Sequence, residues 1–256
     1  PAIGPSVPSM RSGSRRLLPA MAVPPVSAYE GWSEGMPRES KKARIARMRR
    51  EYELLCEEIP HPKCALDFHS PFELLVATVL SAQTTDKRVN TVTPELFGEY
   101  PGPAELAAAN PEHVEDIIRT IGFFRTKTRN IIGLSHELCE RFGGEGPADM
   151  DSLVSLPGVG RKTANVVLGN AFGVPGFPVD THVIRVTGRL RWRSDWASPS
   201  PDPVSIEREI TVCFPPGEWT DLSHRLILHG RAICHARKPD CADCPLNGTC
   251  PSAFAV

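Results

Sequence analysis

A glycine-containing turn between two helical patterns is the feature that most limits how this 256-residue chain can fold. The turn occupies residues 156–160, with the sequence LPGVG. Gly158 and Gly160 permit positive φ angles and expose backbone N–H groups, and Leu156 and Val159 are expected to anchor the turn on its helices. The pattern predicts a helix-hairpin-helix, and the simpler alternative is a plain tight turn between two helices.

The rest of the chain indicates helix after helix. Apolar residues recur every three or four positions in successive segments, which Gly, Pro, Asn and Asp separate. No segment shows sustained two-residue alternation, so an all-α protein is predicted. Hydrophobic residues make up 41% of the chain and charged residues 23%, which is typical of a globular protein. No apolar run is long enough to cross a bilayer, so no membrane partner is expected.

Three segments differ from this pattern. Residues 1–38 are rich in Pro, Ser and Gly and predict a disordered N-terminal tail. A predicted helix over Glu39–Ile59 has a basic face between Lys41 and Arg50, which is either a solvated surface or a phosphate contact. Ser194–Pro203 is rich in Pro and Ser and predicts one long loop.

An anion site is predicted at the hairpin. Gly158, Val159, Gly160 and Arg161 lie at the start of the second helix, where free N–H groups and the helix dipole attract an anion such as a DNA phosphate. Lys162 follows in the first turn, where its ammonium opposes the positive end of the dipole. That position favours the neutral, nucleophilic amine, although a lysine that only binds phosphate would also be tolerated there.

A second candidate group lies downstream in the string VDTH, residues 179–182. Asp180 can supply a carboxylate that orients an attacking group and stabilises an oxocarbenium-like sugar. The alternative is an ordinary N-cap, because Asp-Thr before a helical pattern is a usual helix start. His182 is a candidate DNA contact, with helix capping or packing as its alternatives.

Four of the eight cysteines cluster near the C-terminus with the spacing C-x6-C-x2-C-x5-C. This uneven placement favours a metal site in a reducing compartment over a secreted disulfide scaffold. Residue type and spacing alone allow a structural zinc ion or a [4Fe–4S] cluster, with a disulfide pair as a third possibility. The candidate ligands are Cys234, Cys241, Cys244 and Cys250.

The strings LPGVGRKTAN and VDTHV, together with the cysteine cluster, resemble the endonuclease III family of helix-hairpin-helix DNA glycosylases. The resemblance extends from about residue 41 to residue 251, and it implies an all-α fold of two domains with the DNA cleft between them. A six-helix barrel domain is expected over residues 64–178, with the helix-hairpin-helix at about 151–173. The iron–sulfur cluster domain is expected to combine residues 39–63 and 179–256.

The same resemblance implies a function. A base-excision-repair glycosylase with AP lyase activity is expected, which removes oxidised pyrimidines such as thymine glycol from duplex DNA. Lys162 is expected to attack the sugar C1′ and form a Schiff base, with assistance from Asp180, before elimination breaks the strand 3′ of the lesion. The resemblance also selects a [4Fe–4S] cluster for the four cysteines. It further implies a monomer in the bacterial cytoplasm, associated with the nucleoid through DNA.

Further DNA contacts are carried over from the family. Gln83 is expected to fill the space that a flipped nucleotide leaves. Phe123 stands where the family has an apolar wedge, often Leu, and its alternative role is that of a core aromatic after a helix stop. Arg237 and Lys238 lie between the first two cysteines, in a loop expected to touch phosphate.

Two alternative functions remain open at this point. A monofunctional mismatch glycosylase would use water as its nucleophile, but such relatives generally lack a lysine at the position of Lys162. A non-catalytic helix-hairpin-helix module would only bind DNA, and the pairing of Lys162 with Asp180 speaks against it. The net charge of −1 provides no overall attraction to a polyanion, so phosphate contacts must come from local clusters.

Overall fold

The computed structural model describes residues 39–255, so the predicted disordered tail lies outside the described residues. Within that range the secondary structure is helical and contains no strand, which confirms the all-α prediction. None of the described helices is long and apolar enough to cross a bilayer. A 3-10 turn, Pro216–Glu218, precedes the last helix. The α-helices are α1 (Lys41–Glu58), α2 (Pro71–Leu80), α3 (Asp86–Glu99), α4 (Pro103–Ala107), α5 (Pro111–Ile118), α6 (Phe124–Phe142), α7 (Met150–Val154), α8 (Arg161–Ala171), α9 (Thr181–Arg189), α10 (Pro203–Thr211) and α11 (Trp219–Ala232).

Short polar side chains set most of the helix starts. At each such start, a side-chain oxygen accepts a hydrogen bond from a backbone N–H two or three residues further on, which satisfies a donor that the helix itself leaves free. Proline occupies the first turn of α2, α5 and α10, where its missing N–H costs nothing. The capping residues are Ser40, Ser70, Thr85, Asn110, Asp149, Asp180 and Asp202.

The helices enclose two hydrophobic cores. The first core is formed by residues of α2 to α8, with α4 and α5 packed on α6 and α2 packed on α8. The sequence predicts about six helices here, and the structure has seven, of which α4 and α7 are only five residues long. The second core is formed by α1, α9, α10 and α11, around Met48, Leu55 and Trp192. The two cores follow the division that the family resemblance implies, while the domain boundaries stay a prediction.

The chain crosses between the cores twice, and both crossings are fixed by polar contacts. After α1, the side chain of Arg225 in α11 donates to the carbonyl oxygens of Ile59 (3.0 Å) and Pro60 (3.2 Å). On the return, Gly176 passes so close to α8 that an added Cβ would lie 2.4 Å from the carbonyl oxygen of Asn165. The return segment then leads directly to the start of α9.

The predicted long loop corresponds to residues 190–202, and its first part belongs to the second core. Trp192 is fully buried, and its indole N–H donates to the carboxylate of the buried Glu51. The backbone N–H of Ser194 donates to both carboxylate oxygens of Glu209 at 2.9 Å. These contacts anchor the segment where α9 ends.

Candidate active site

The helix-hairpin-helix forms as predicted, with the turn between α7 and α8. Leu156 and Val159 are buried, and the N–H of Val159 donates to the carbonyl oxygen of Leu156 at 3.1 Å. Gly158 has a φ of +77°, and an added Cβ would lie 2.6 Å from the Asn130 amide nitrogen. Both the backbone conformation and the contact with α6 therefore require glycine at this position.

Glycine permits a positive φ at position 160, but the structure does not use it. This residue is the N-cap of α8 with an extended φ of −95°, and an added Cβ would meet nothing within 4 Å. No side chain of the described residues caps this helix, so the N–H groups of its first turn remain available to an external anion. Gly160 therefore leaves the helix start bare instead of supplying a special backbone angle.

Arg161 has a partner that the sequence did not indicate. Its guanidinium forms a bidentate ion pair with Glu207 of α10, with both N–O distances at 2.8 Å. Glu207 also accepts from the Asn165 side chain at 3.1 Å. The pair joins α8 in the first core to α10 in the second. The Arg161 side chain, which was predicted to contact a phosphate, is therefore bound to a carboxylate in this structure.

Lys162 is exposed on the first turn of α8, close to a group of charged residues. The charge of Lys162 acts on the half-buried thiol of Cys64. Burial raises the pKa of Cys64, Asp86 acts in the same direction, and the positive charges of Lys162 and Arg231 act against it. Asp86 and Arg231 form an ion pair of 2.7 Å that joins α3 to α11. This ion pair is a second contact between the two cores.

That ion pair lies in an open pocket to which both cores contribute. The segment from Gln83 to Thr91, which includes the start of α3, forms one side, and His182 of α9 and Arg231 of α11 form the other. Hydroxyl and amide side chains are frequent in the lining. The predicted plug residue Gln83 and the predicted DNA contact His182 are therefore brought to the same cleft. The lining residues are Ala65, Gln83, Thr84, Thr85, Asp86, Lys87, Asn90, Thr91, His182 and Arg231.

Asp180 is half-buried and acts as the N-cap of α9. Its Oδ1 accepts from the N–H groups of His182 (2.8 Å) and Val183 (2.9 Å). Its Oδ2 takes part in no hydrogen bond within residues 39–255. Asp180 is therefore an N-cap, as the alternative interpretation predicted. The cap fixes the position of the carboxylate and leaves Oδ2 available. The assignment of Asp180 to sugar chemistry stays a prediction.

Burial favours the neutral form of the His182 ring. Burial lowers its pKa, the carboxylate of Asp180 opposes this, and Arg185 and Arg231 lower the pKa further. Because a guanidinium only donates, the contact of 3.0 Å between Arg185 Nη2 and His182 Nδ1 makes Nδ1 the acceptor. The neutral ring then carries its proton on Nε2.

Gln83 and Phe123 both lie at exposed positions in a left-handed backbone conformation. Their φ angles are +55° and +57°, which costs about 1–3 kcal/mol for each non-glycine residue. Phe123 is 69% exposed, so the alternative of a core aromatic does not apply. The two loops are adjacent, because an added Cβ on Gly122 would lie 3.9 Å from both Gln83 O and Thr84 Oγ1.

Sequence analysis missed Lys127, a buried residue of α6 that contacts the Gln83 loop. Its Nζ donates to Leu80 O (2.8 Å), Ala82 O (2.6 Å) and Thr84 Oγ1 (3.0 Å), and burial lowers its pKa. A signal was present in the sequence. Lys127 shares a helix face with Ile131, and a lysine in an apolar stripe requires buried acceptors.

The four clustered cysteines line a single pocket beside α9 and α11. Arg189 Nη1 lies 3.3 Å from Cys234 Sγ, and His229 Nε2 lies 3.8 Å from Cys244 Sγ. Burial raises the pKa of Cys244 to about 11, and the other three thiols act in the same direction. No group of three or more His, Cys, Asp or Glu side chains in residues 39–255 is arranged to hold a single metal ion.

The loop between the first two cysteines is tied to α9. Arg189 donates to the carbonyl oxygens of His235 (2.6 Å) and Ala236 (3.0 Å). Arg237 and Lys238 follow with exposed side chains, and they form no ion pair within the described part of the chain. All eight cysteines lie in that part and none forms a disulfide, so the disulfide alternative does not apply.

Comparison with known proteins agrees with this geometry. The family model for HhH-GPD superfamily base excision DNA repair proteins matches residues 76–216. Endonuclease III of Synechocystis sp. is 48% identical over 197 residues, covering 77% of this chain and 88% of that protein. For endonuclease III of Escherichia coli the identity is 44% over 196 residues, covering 77% and 90%.

Solved structures give the same result. The structure of a trapped endonuclease III–DNA covalent intermediate in an estranged-adenine complex matches with a TM-score of 0.77 and 42% identity, covering 82% of this chain and 96% of that one. The predicted fold class and the resemblance to endonuclease III are thereby confirmed. The chain belongs to the HhH-GPD superfamily of base excision DNA repair proteins.

Proposed function

We propose that this protein is a DNA glycosylase with AP lyase activity that removes oxidised pyrimidines, such as thymine glycol, from duplex DNA. The observation that carries the proposal is the position of Lys162. It lies exposed in the first turn of α8, directly after a bare helix start that can bind a phosphate. A lining rich in hydroxyl and amide groups suits a damaged base with polar ring substituents.

In the first chemical step, the Lys162 amine displaces the base from the sugar. The neutral amine of Lys162 attacks the sugar C1′, while the bond between C1′ and the base nitrogen breaks and its electron pair leaves with the base. Asp180 stabilises the positive charge that develops on the sugar and accepts a proton from the amine. Its Oδ1 remains bound to the start of α9, so Oδ2 is the oxygen for this task.

The second step cuts the strand. Opening of the sugar ring gives a Schiff base between Lys162 Nζ and C1′, which acidifies the hydrogens on C2′. Loss of a C2′ proton then drives out the 3′ phosphate as the C3′–O bond breaks, and water releases the lysine. The trapped covalent intermediate in the matching solved structure, an endonuclease III–DNA complex, supports a covalent route of this kind.

Borohydride trapping tests the proposal directly, since it reduces a Schiff base to a stable amine. The substrate is a duplex with one thymine glycol, and the variant is Lys162→Ala. The parent is expected to form a covalent adduct, and the variant to form none. Lys87→Ala is the matched control, because Lys87 is an exposed lysine in the lining of the same cleft and should leave adduct formation intact.

Each other outcome selects a different function. Release of the base without any adduct would identify a monofunctional glycosylase, and Lys162 would become a phosphate contact. Binding to damaged, mismatched and abasic duplexes with neither release nor adduct would identify a DNA-binding module. Trapping that persists in Lys162→Ala would assign the nucleophile to another amine.

The pocket lined by the four cysteines suits a [4Fe–4S] cluster. Four thiols around one pocket supply the number of cysteine ligands that such a cluster requires. Arg189 offers an N–H group to the sulfur of Cys234, as is common around ligating thiolates. Bound there, the cluster would order the loop that carries Arg237 and Lys238.

Iron and acid-labile sulfide analysis of the purified protein tests this assignment. Cys241→Ser is expected to lose both, together with the visible absorption of the cluster. Cys139→Ser, which changes a thiol outside the pocket, is the matched control and should keep them. Zinc without sulfide in the parent would replace the cluster with a zinc site.

DNA binding is assigned to a set of groups on both cores. The hairpin N–H groups, Arg237 and Lys238 would contact phosphates, while Gln83 and Phe123 would occupy the space of the flipped nucleotide. His182 would contact the flipped nucleotide in the cleft. The protein would act as a monomer in the bacterial cytoplasm, where its DNA substrate is found.

A further inference from the structure

The ammonium of Lys127 is buried and donates three hydrogen bonds. The side chain is 5% exposed, and no carboxylate of the described residues forms an ion pair with it. An ammonium has three donors, and each one has an acceptor here, namely Leu80 O, Ala82 O and Thr84 Oγ1. The charge is therefore stabilised by acceptors from one loop only, residues 80–84.

That loop is the one that presents Gln83. Leu80 ends α2, so its carbonyl oxygen belongs to the negative end of that helix, where a cation is favoured. The bonds from Lys127 to Ala82 O and Thr84 Oγ1 fix the residues on both sides of Gln83. Gln83 itself is left exposed with a positive φ.

The backbone of Lys127 holds the second exposed residue. Its N–H donates to the carbonyl oxygen of Phe123 at 3.1 Å, which forms the first turn of α6. Phe123 has no side-chain cap and keeps a positive φ at this helix start. One residue thus bonds to both loops, the Gln83 loop through its side chain and the Phe123 loop through its backbone.

We propose that Lys127 is a positioning residue that holds Gln83 and Phe123 together as one rigid wedge for opening the DNA duplex. The inference rests on the proposed function, because it requires that these two residues enter the duplex. The three bonds of the ammonium prevent the Gln83 loop from relaxing away from Phe123. Removal of the ammonium would leave both side chains present but no longer held at a fixed separation.

Comparison of two DNA substrates with the variant Lys127→Met tests this inference. Excision from a thymine glycol duplex requires the base to be driven out of the stack, whereas cleavage at a preformed abasic site has no base to extrude. Under single-turnover conditions we expect excision to fall about tenfold and abasic cleavage to change by less than about twofold. A general structural defect would lower both rates alike.

A fluorescence measurement reports the wedge itself. A 2-aminopurine is placed opposite a tetrahydrofuran abasic analogue, which the enzyme binds but does not cleave. Insertion of the wedge unstacks the 2-aminopurine, so binding of the parent is expected to raise its fluorescence. With saturating Lys127→Met, most of this rise should be lost.

Two further variants keep the test decisive. Ser135→Ala removes a buried hydroxyl of α6 that bonds only Ile131 O, and it should match the parent in both assays. Thr84→Val removes one of the three acceptors, so the losses of excision rate and of fluorescence rise should be smaller than in Lys127→Met. This variant takes the place of Lys127→Met if Lys127→Met does not fold.

Equal loss on both substrates, or an unchanged fluorescence rise in the variants, would overturn the positioning role while the parent still excises thymine glycol. A parent that neither excises nor cleaves would overturn the proposed function, and this inference with it.

Discussion

Asp180 combines a structural and a chemical task that one substitution can separate. In Asp180→Asn the amide oxygen can still accept from His182 and Val183, so the start of α9 keeps its cap. The charge that would stabilise the sugar cation is lost. We expect excision to fall about 10²- to 10⁴-fold in single-turnover assays, while the free energy of unfolding changes by less than about 1 kcal/mol.

Asp180→Ala provides the contrast, because it removes the cap as well and should cost about 1 kcal/mol of stability. Wild-type excision by Asp180→Asn would reduce Asp180 to a helix cap. Thermal and urea unfolding measure the stability of each variant.

The two hairpin glycines should respond differently to alanine. Gly158→Ala forces a left-handed alanine at a φ of +77° and brings its Cβ against Asn130, so we expect a loss of about 2 kcal/mol or more in unfolding free energy. Gly160→Ala meets open space at an extended φ and should cost less than about 1 kcal/mol. Denaturant unfolding of both variants measures the difference, and equal losses would contradict the structural distinction.

Sequence reasoning at this scale succeeded where the chemistry is local. The N-cap at Asp180 depends on hydrogen bonds from the backbone two and three residues further on, which spacing reveals. The different roles of Gly158 and Gly160 could not be told apart, because two glycines in one turn look alike in sequence and only the structure shows that Gly158 contacts α6. Lys127 was missed because its acceptors lie 43 to 47 residues away.

At the scale of elements, the helix predicted over Glu39–Ile59 agrees with α1 to within two residues at each end, whereas α3 and α4 were not predicted. The helix α3 contains Pro94, a residue that normally argues against a helix interior, and no helix was predicted there. The helix α4 has five residues, too few to display a periodicity. Both helices pack into the first core, so tertiary contacts stabilise helices that the local sequence pattern does not predict.

The contact between α8 and α10 leads to a prediction about DNA affinity. Glu207→Gln breaks the bidentate pair with Arg161 and frees the guanidinium for a phosphate. We expect tighter binding to undamaged duplex at low salt. The slope of log K against log salt should become more negative by about 1, the value for one added phosphate contact.

Glu209→Gln is the matched control for that experiment. It removes a carboxylate from the same helix, but one that bonds Arg44 and Ser194 and not Arg161. Equal effects of the two substitutions would mean that the gain in affinity is not specific to Arg161. Fluorescence anisotropy across a salt series provides the slopes.

At the scale of the whole molecule, two ion pairs join the cores on the side that carries the candidate site. Arg161–Glu207 joins residues 46 positions apart, and Arg231–Asp86 joins residues 145 positions apart. Neither separation leaves a signal in one sequence, so the cleft was predicted only through family resemblance. Because a guanidinium also binds phosphate, we expect bound DNA to compete with Glu207 and Asp86 for the two arginines.

The stability of the whole molecule should depend on pH through its buried histidines. Burial lowers the pKa of His224, with Asp221 opposing and Arg231 adding to the effect, and the pKa of His182 is lowered as well. Below the ordinary histidine value of 6.5, the unfolded chain therefore binds protons that the folded protein does not. We therefore expect the contribution of these two histidines to the free energy of unfolding to be fully present above pH 6.5 and to fall as the pH drops towards their lowered folded pKa values.

Glu51 acts in the opposite direction, because burial raises its pKa above 4.5 and folding then favours its protonated form. The pH dependence of the free energy of unfolding sums the effects of all these groups. The informative quantity is therefore the difference in this dependence between a variant and the parent. His224→Gln keeps a donor for Asn170 Oδ1, which His224 Nε2 contacts at 2.8 Å, and it removes the titrating ring. Urea unfolding between about pH 5 and pH 7.5, around the ordinary histidine pKa, should give a shallower loss of stability on acidification for this variant than for the parent. Parallel curves would mean that His224 takes up its proton equally in the folded and unfolded chains, contrary to its burial between α8 and α11.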